Sequence, residues 1–234
     1  MKSQFLKGNL HGIPIALGYL SVSFGFGILA VKSGLSVLAA TLISVTNLTS
    51  AGQVAGVGII AAGGSLAEMG LTQLVINLRY ALMAISLSQK TDKSFTFGKR
   101  LIASYGITDE IYAVASSQPE DISASYMYGL TFISFLGWTV GTFLGAFAGE
   151  LLPTDITNAM GIVLYGMFLA IFIPPARKSR RVLLVVAVAS GLSVVFKYLI
   201  TVVSGGFAVI ISAIVASALG AVLFPIDIKE ADDT

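Results

Sequence analysis

Three ionisable residues stand inside apolar runs. Arg79 lies near the middle of Leu66 to Leu87, and Asp109 and Glu110 lie within Leu101 to Ala115, in a 234-residue chain with only 11% charged residues. An ionisable group at membrane depth costs at least about 3 kcal/mol on insertion scales, so it faces a polar cavity, pairs with another charge or binds what crosses. A buried carboxylate can also alternate between charged and neutral forms, which makes Asp109 and Glu110 candidate proton carriers.

A second constellation carries no charge. The apolar run Leu35 to Ala62 is interrupted by Thr46, Asn47, Thr49, Ser50, Gly52 and Gln53. Amides and hydroxyls there sit beside backbone that an interrupted helix leaves unpaired, and Gln53 is expected to open a second half-helix whose N-terminal amides attract a carboxylate. Asn47, Ser50 and Gln53 are therefore candidate ligands. Asn77 and Tyr80 flank Arg79; Asn77 and Arg79, two residues apart, project about 160° from one another on a regular helix, which places protein on both sides of it. Thr108 is expected to cap a helix whose first turn holds both acids. On a continuous helix Asp109 shares a face with Tyr105, Tyr112 and Ser116, and Glu110 lies on a stripe of Ala103, Gly106, Ala113 and Ser117.

The elements that must position these groups follow from composition. Hydrophobic residues make up 56% of the chain, mean hydropathy is +0.90, and 25 glycines are scattered through apolar runs. This pattern reads as an all-α integral membrane protein, a polytopic helical bundle in one transmembrane domain of residues 1–234, with a short N-terminus 1–11 and a tail 225–234. A net charge of +2 dispersed over short loops excludes a nucleic-acid stripe. The absence of cysteine and the single His11 exclude a thiolate or multi-histidine metal centre. No catalytic residue or cofactor is expected either, because no second histidine supports a Ser-His pair and adjacent acids point apart on a helix.

Further apolar runs cover Ile13 to Val31, Tyr126 to Ala148, Ile156 to Ile173, Val182 to Val203 and Phe207 to Phe224. The halves of Leu35 to Ala62 are each about a dozen residues, about 18 Å at 1.5 Å per residue, and neither spans alone. Lys2 and Lys7, Lys90 to Arg100, and Arg177 to Arg181 all belong inside by the positive-inside rule. The expected architecture is six full spans plus two broken or re-entrant segments, 35–62 and 101–117, with both termini cytoplasmic. Glu68, Glu150 and Asp155 fall at run ends and are expected to be solvated, and Lys197 to snorkel toward the outer interface. Ser23 to Ala30 and Thr139 to Ala146 share closely spaced glycines, an internal self-similarity. Gly141, Gly145 and Gly149 form a small-residue stripe expected to serve close helix packing.

Asn77-Leu78-Arg79-Tyr80 followed by Ala81-Leu82-Met83, Thr108-Asp109-Glu110, the Ser44 to Gln53 segment and Ala159-Met160-Gly161 through Phe168-Leu169-Ala170 resemble the AzlC family, large subunits of branched-chain amino-acid permeases. The family's broken segment usually reads aromatic-Ala-Gly-x-x-Gln-Phe; here Gln53 is kept, preceded by Leu48-Thr49-Ser50-Ala51-Gly52 and followed by Val54. The resemblance implies an exporter of branched-chain or similar apolar amino acids in the plasma (cell inner) membrane, working with a small AzlD-type membrane subunit. Such a zwitterion needs a cation for its carboxylate, an anion for its ammonium and an apolar pocket. Arg79 with the Gln53 half-helix could supply the first, and Asp109 or Glu110 the second, with proton coupling through either acid. An ion channel and a non-transporting assembly subunit are the other classes left open, as is a homo-oligomer.

Overall fold

The computed structural model describes residues 3–153, 166, 169 and 173–225. Their ordered elements are helical: α1 (Gln4–Lys32), α2 (Val37–Thr46), α3 (Ser50–Ala61), α4 (Leu66–Ser88), α5 (Phe97–Tyr105), α6 (Asp109–Ser116), α7 (Ala124–Leu151), α8 (Arg180–Tyr198) and α9 (Gly205–Leu223). Among the described residues α1, α4, α7, α8 and α9 are long and apolar enough to cross a membrane. The chain is thus a polytopic α-helical membrane protein. The run Ile156 to Ile173 lies almost wholly outside the described residues, as do the Ala159 to Gly161 motif, Asp155 and most of the tail. Packing divides the chain into two compact units, Met1–Val57 with Ile76–Leu164 and Gly58–Val75 with Tyr165–Thr234.

The spine of the first unit is the pair α1 and α7. They run parallel: Gly129 abuts Phe5, Gly137 abuts Ala16, Gly145 abuts Phe24 and Gly149 abuts Ile28. A Cβ on Gly27 would sit 2.2 Å from the Thr142 carbonyl oxygen, one on Gly141 2.4 Å from that of Leu20, and one on Gly145 2.0 Å from that of Phe24. Backbone therefore meets backbone, the contact small residues permit between membrane helices. The glycine stripe of α7 serves this seam, and the two self-similar segments are its opposite faces. Gly149 is looser, 3.3 Å from the Ile28 Cα.

Both interrupted segments fold as helical hairpins. Ser36 caps α2 by accepting from the Ala39 amide, and α2 ends where Asn47 turns extended (φ −145°, ψ 103°). The chain restarts at Ser50, so Gln53 lies in the first turn of α3 rather than at its opening. Val57 of α3 clusters with Phe26 and Ala30 near the end of α1, Ala40 near the start of α2 and Ala146 near the end of α7. The second leg therefore returns to the end from which the first entered. Left-handed Gly34 (φ 91°) and Gly63 (φ 67°) turn the chain after α1 and α3.

The run Leu101 to Ala115, read from sequence as part of a broken or re-entrant segment, is two helices broken at Gly106 to Thr108. The first enters beside the start of α7, where the Tyr128 hydroxyl donates to the Lys99 carbonyl. Gly106 presses against Thr131, which a Cβ would meet at 2.1 Å. The second leg returns to the same end: Lys90 Nζ donates to the Ser116 carbonyl (2.5 Å), placing a cation at the C-terminus of α6, and the Ile122 amide donates to the Lys90 carbonyl. The two hairpins enter the first unit from opposite ends of α1 and α7. Their tips meet at the middle, where the Tyr105 hydroxyl donates to the Val45 carbonyl (2.5 Å), a group the end of α2 leaves without a helical partner.

In the second unit α8 packs on α9, with Val185 against Gly220. Glu68 corrects the sequence reading: it is not solvated but 5% exposed, and one of its oxygens accepts from the Gly206 amide (2.9 Å) and the Ser204 hydroxyl at the start of α9. A carboxylate satisfies orphan amides and suits the positive helix end. A Cβ on Gly206 would lie 2.5 Å from that oxygen, so glycine there makes the approach possible. Glu150 is exposed, as expected, and Lys197 is exposed in the last turn of α8, stacked over the Tyr198 ring at 5.5 Å.

Candidate functional site at the hairpin tips

Thr108 caps α6 through its side-chain oxygen, which accepts from the Ile111 amide, and both acids stand in the first turn, as the sequence indicates. Asp109 Oδ2 lies 2.7 Å from Arg79 Nη1 of α4, and the side chains are 42% and 41% exposed. Charged groups do not face lipid at that depth, so this opening must give onto water or protein. The Arg79 guanidinium stacks on the Tyr80 ring (5.1 Å) and donates to its hydroxyl (3.4 Å). The Tyr80 hydroxyl donates to Thr49 (3.1 Å), and Thr49 donates to the Asn77 side-chain oxygen (2.9 Å). Each hydroxyl gives one proton and accepts one, so the relay is directional.

This relay joins the two flanks of α4 that Asn77 and Arg79 occupy. Their Cβ atoms do diverge on α4, but Tyr80, three residues after Asn77, bridges the flanks, and Thr49 from the opposite hairpin closes the circuit. Thr49 sits in the break between α2 and α3 with Asn47, the C-cap of α2, and Ser50, the first residue of α3, on either side.

A second network is sealed around Gln53 and reaches an exposed carboxylate at its other end. Gln53 is 1% exposed. Its Nε2 donates to Ser44 Oγ (2.9 Å), its Oε1 accepts from the Trp138 indole (2.9 Å), and Ser44 shares a hydrogen bond with Thr142 (2.7 Å). Trp138 stands edge-on to Tyr19 at 5.2 Å. The Tyr19 hydroxyl lies 2.5 Å from Thr108 Oγ1 and 2.6 Å from Glu110 Oε2. A phenol has one proton, so with the carboxylate accepting it, Thr108 donates to the phenol oxygen.

The sequence-based faces of α6 change accordingly. Tyr105 belongs to α5 and shares no face with Asp109, because the helix breaks between them. Tyr112 is paired with Ser86 (2.8 Å), two turns along α4 from Arg79, and stays out of the Arg79–Asp109 relay. Glu110 is held by Tyr19 instead of lying only against small residues. His11 lies 2.9 Å from the Tyr126 hydroxyl, a pairing within the α1–α7 spine.

Sequence reasoning overlooked Tyr19 and Trp138, and it named Thr49 in the interrupted segment without counting it among the candidate ligands. One signal was available: Trp138, the single tryptophan, and Tyr19 fall near the middles of α7 and α1, whereas amphipathic aromatics usually sit at membrane interfaces. An aromatic polar tip at that depth needs an internal partner.

Broken helices meeting at membrane depth around an ion pair define a membrane protein with an internal polar site. The AzlC protein family matches residues 14–152, and the chain belongs to that family. It is 27% identical over 198 residues to the inner membrane protein YgaZ of Escherichia coli (strain K12), covering 82% of this chain and 81% of that protein. It is 30% identical over 174 residues to an uncharacterized membrane protein of Archaeoglobus fulgidus, covering 74% and 76%. A Helicobacter pylori (strain 26695) membrane protein is 24% identical over 174 residues, covering 73% and 75%. No solved structure matches the chain.

Proposed function

We propose that this protein is a transporter that exports branched-chain or similar apolar amino acids, coupled to protons, from the plasma (inner) membrane. The observation that carries the reading is the Arg79–Asp109 ion pair at the meeting point of two re-entrant hairpins. An amino acid offers a carboxylate to Arg79 and an ammonium to Asp109, exchanging one ion pair within the protein for two to the substrate. The exchange conserves charge pairing, so binding stays weak enough to release, as transport requires. Asn77, Tyr80 and Thr49 hold Arg79 in place; Asn47, Ser50, Gln53 and Tyr112 line or brace the surrounding breaks.

Glu110 is the better proton carrier of the two acids. Asp109 balances Arg79, while the partner of Glu110 is the Tyr19 hydroxyl, a group able both to donate and to accept. Helix faces read from sequence alone put the proton on Asp109 and leave Glu110 to helix packing; the contacts of the two acids favour the reverse. The whole chain acts as one transporter domain with cytoplasmic termini, alongside a small AzlD-type subunit.

Efflux of labelled leucine from loaded vesicles, with and without an imposed pH gradient, tests the function. Gradient-dependent efflux supports it; steady single-channel current in its place makes the protein a channel. Orientation is checked with the substitution Lys93→Cys in this cysteine-free chain. Its thiol is expected to resist an impermeant reagent in intact cells, and labelling from outside overturns the assignment.

A further inference from the structure

We propose that a cavity beside α5 is a second ligand site, taking a short aliphatic carboxylate. On the transport reading above, this is the amino acid on its way to the hairpin tips. The cavity, about 190 Å³, is walled by Leu87, Phe95, Ala103, Ile107 and Met127, with Arg100 at its mouth. It lies where α5 enters and α7 begins, the end that the basic loop residues assign to the cytoplasm.

Size and lining define the tail of the ligand. A dry apolar cavity of about 150 Å³ accepts benzene, so this one, open at one side, has room for a branched chain of about six carbons. Leu87, Ala103, Ile107 and Met127 are all buried, which fixes the shape of the wall.

The mouth defines the head. Arg100 is held by the Phe95 ring (5.8 Å) and donates to the Thr91 hydroxyl (3.2 Å), and among the described residues it has no carboxylate at ion-pair distance. Most of its five donors remain for a ligand, in the planar fork that fits a carboxylate. Lys93 and Lys99 belong to the same segment and outnumber its one carboxylate, Asp92, so the local field stays positive. The hydroxyl protons of Ser88 and Ser104 go to the Ile85 and Leu101 carbonyls, leaving only weak acceptors for an ammonium. Carboxylate and aliphatic tail, rather than ammonium, therefore select the ligand. Ile107 of the wall directly precedes Thr108, the cap of the helix that bears Asp109 and Glu110, so occupancy touches the break that carries the central site.

A diazirine-bearing leucine analogue, irradiated with the purified full chain and mapped by peptide mass spectrometry, tests the site. Adducts are expected on Leu87, Ile107 or Met127, competed by leucine and by 4-methylpentanoate but not by leucinamide. Arg100→Gln, at the exposed mouth, should weaken this labelling about tenfold, and Ala103→Phe should abolish it, both leaving adducts at the hairpin tips. Equal competition by leucinamide, or labelling indifferent to Arg100→Gln, overturns the proposal. So does a phospholipid that native mass spectrometry finds bound and Ala103→Phe releases. Export without adducts in this cavity sinks the second site alone, whereas adducts here without any export sink the transporter and keep the site.

Discussion

The two hairpins use one device to opposite ends. Each interrupts a helix at the middle of the first unit and leaves backbone and side-chain polar groups there. The tip of α2–α3 carries no charge, and beyond the Thr49 hydroxyl that joins the Arg79 relay it is anchored in a sealed cluster, with Gln53, Ser44 and Thr142 bonded among themselves and to Trp138. The tip of α5–α6 carries two carboxylates and an arginine partner, and stays half open. A fully satisfied network holds a single geometry, while a half-exposed ion pair can change partners at little cost. A broken helix thus becomes a fixed post or a working part according to the charge and access of the groups placed at the break.

The largest effect expected is that of Asp109→Asn. It leaves Arg79 without its counter-charge and removes the group that would hold an ammonium, so export should fall at least a hundredfold in vesicles with the protein still inserted and folded. Parental export by this variant would place the working part elsewhere. Arg79→Lys keeps the charge but loses the planar fork and its stacking on Tyr80, and should cost about tenfold in transport with unchanged thermal stability. Normal export would reduce Arg79 to a charge balance.

Gln53→Leu probes the other hairpin and should act on stability instead. It strands the Trp138 indole and breaks the bond to Ser44, a loss of about 1–2 kcal/mol, measurable as a lowered unfolding midpoint in detergent. A transport defect with unchanged stability would make that tip a ligand site too and erase the distinction. Smallest in rate, but sharpest in kind, is Glu110→Gln: substrate exchange should persist while its dependence on the pH gradient disappears. Retained gradient dependence would return the proton to Asp109.

Much of this contrast was legible in the chain. Polar residues from Thr46 to Gln53 inside an apolar run announced one break, Thr108 ahead of two acids announced a helix start, and glycines every four residues announced a close seam. What could not be read was pairing over long sequence distances. The helix start at Thr108 was seen, but faces were still counted through Gly106, since single glycines are common in membrane helices, so Tyr105 was given a face it does not have. Angular reasoning separated Asn77 from Arg79 because it follows Cβ vectors, whereas a tyrosine reaches well beyond its own Cβ. Glu68 looked solvated because its partners, Ser204 and the Gly206 amide, lie far along the chain.

The seam between α1 and α7 also limits how the molecule can move. With Gly27, Gly141 and Gly145 seated on bare backbone, a slide of one residue would drive a side chain of one helix into the main chain of the other. The pair therefore behaves as a keyed shaft, free neither to slip nor to rotate, and any conformational cycle has to be carried by the elements hung upon it. Lengthening α7 by one residue ahead of Gly141 would turn that key about 100° out of its slot.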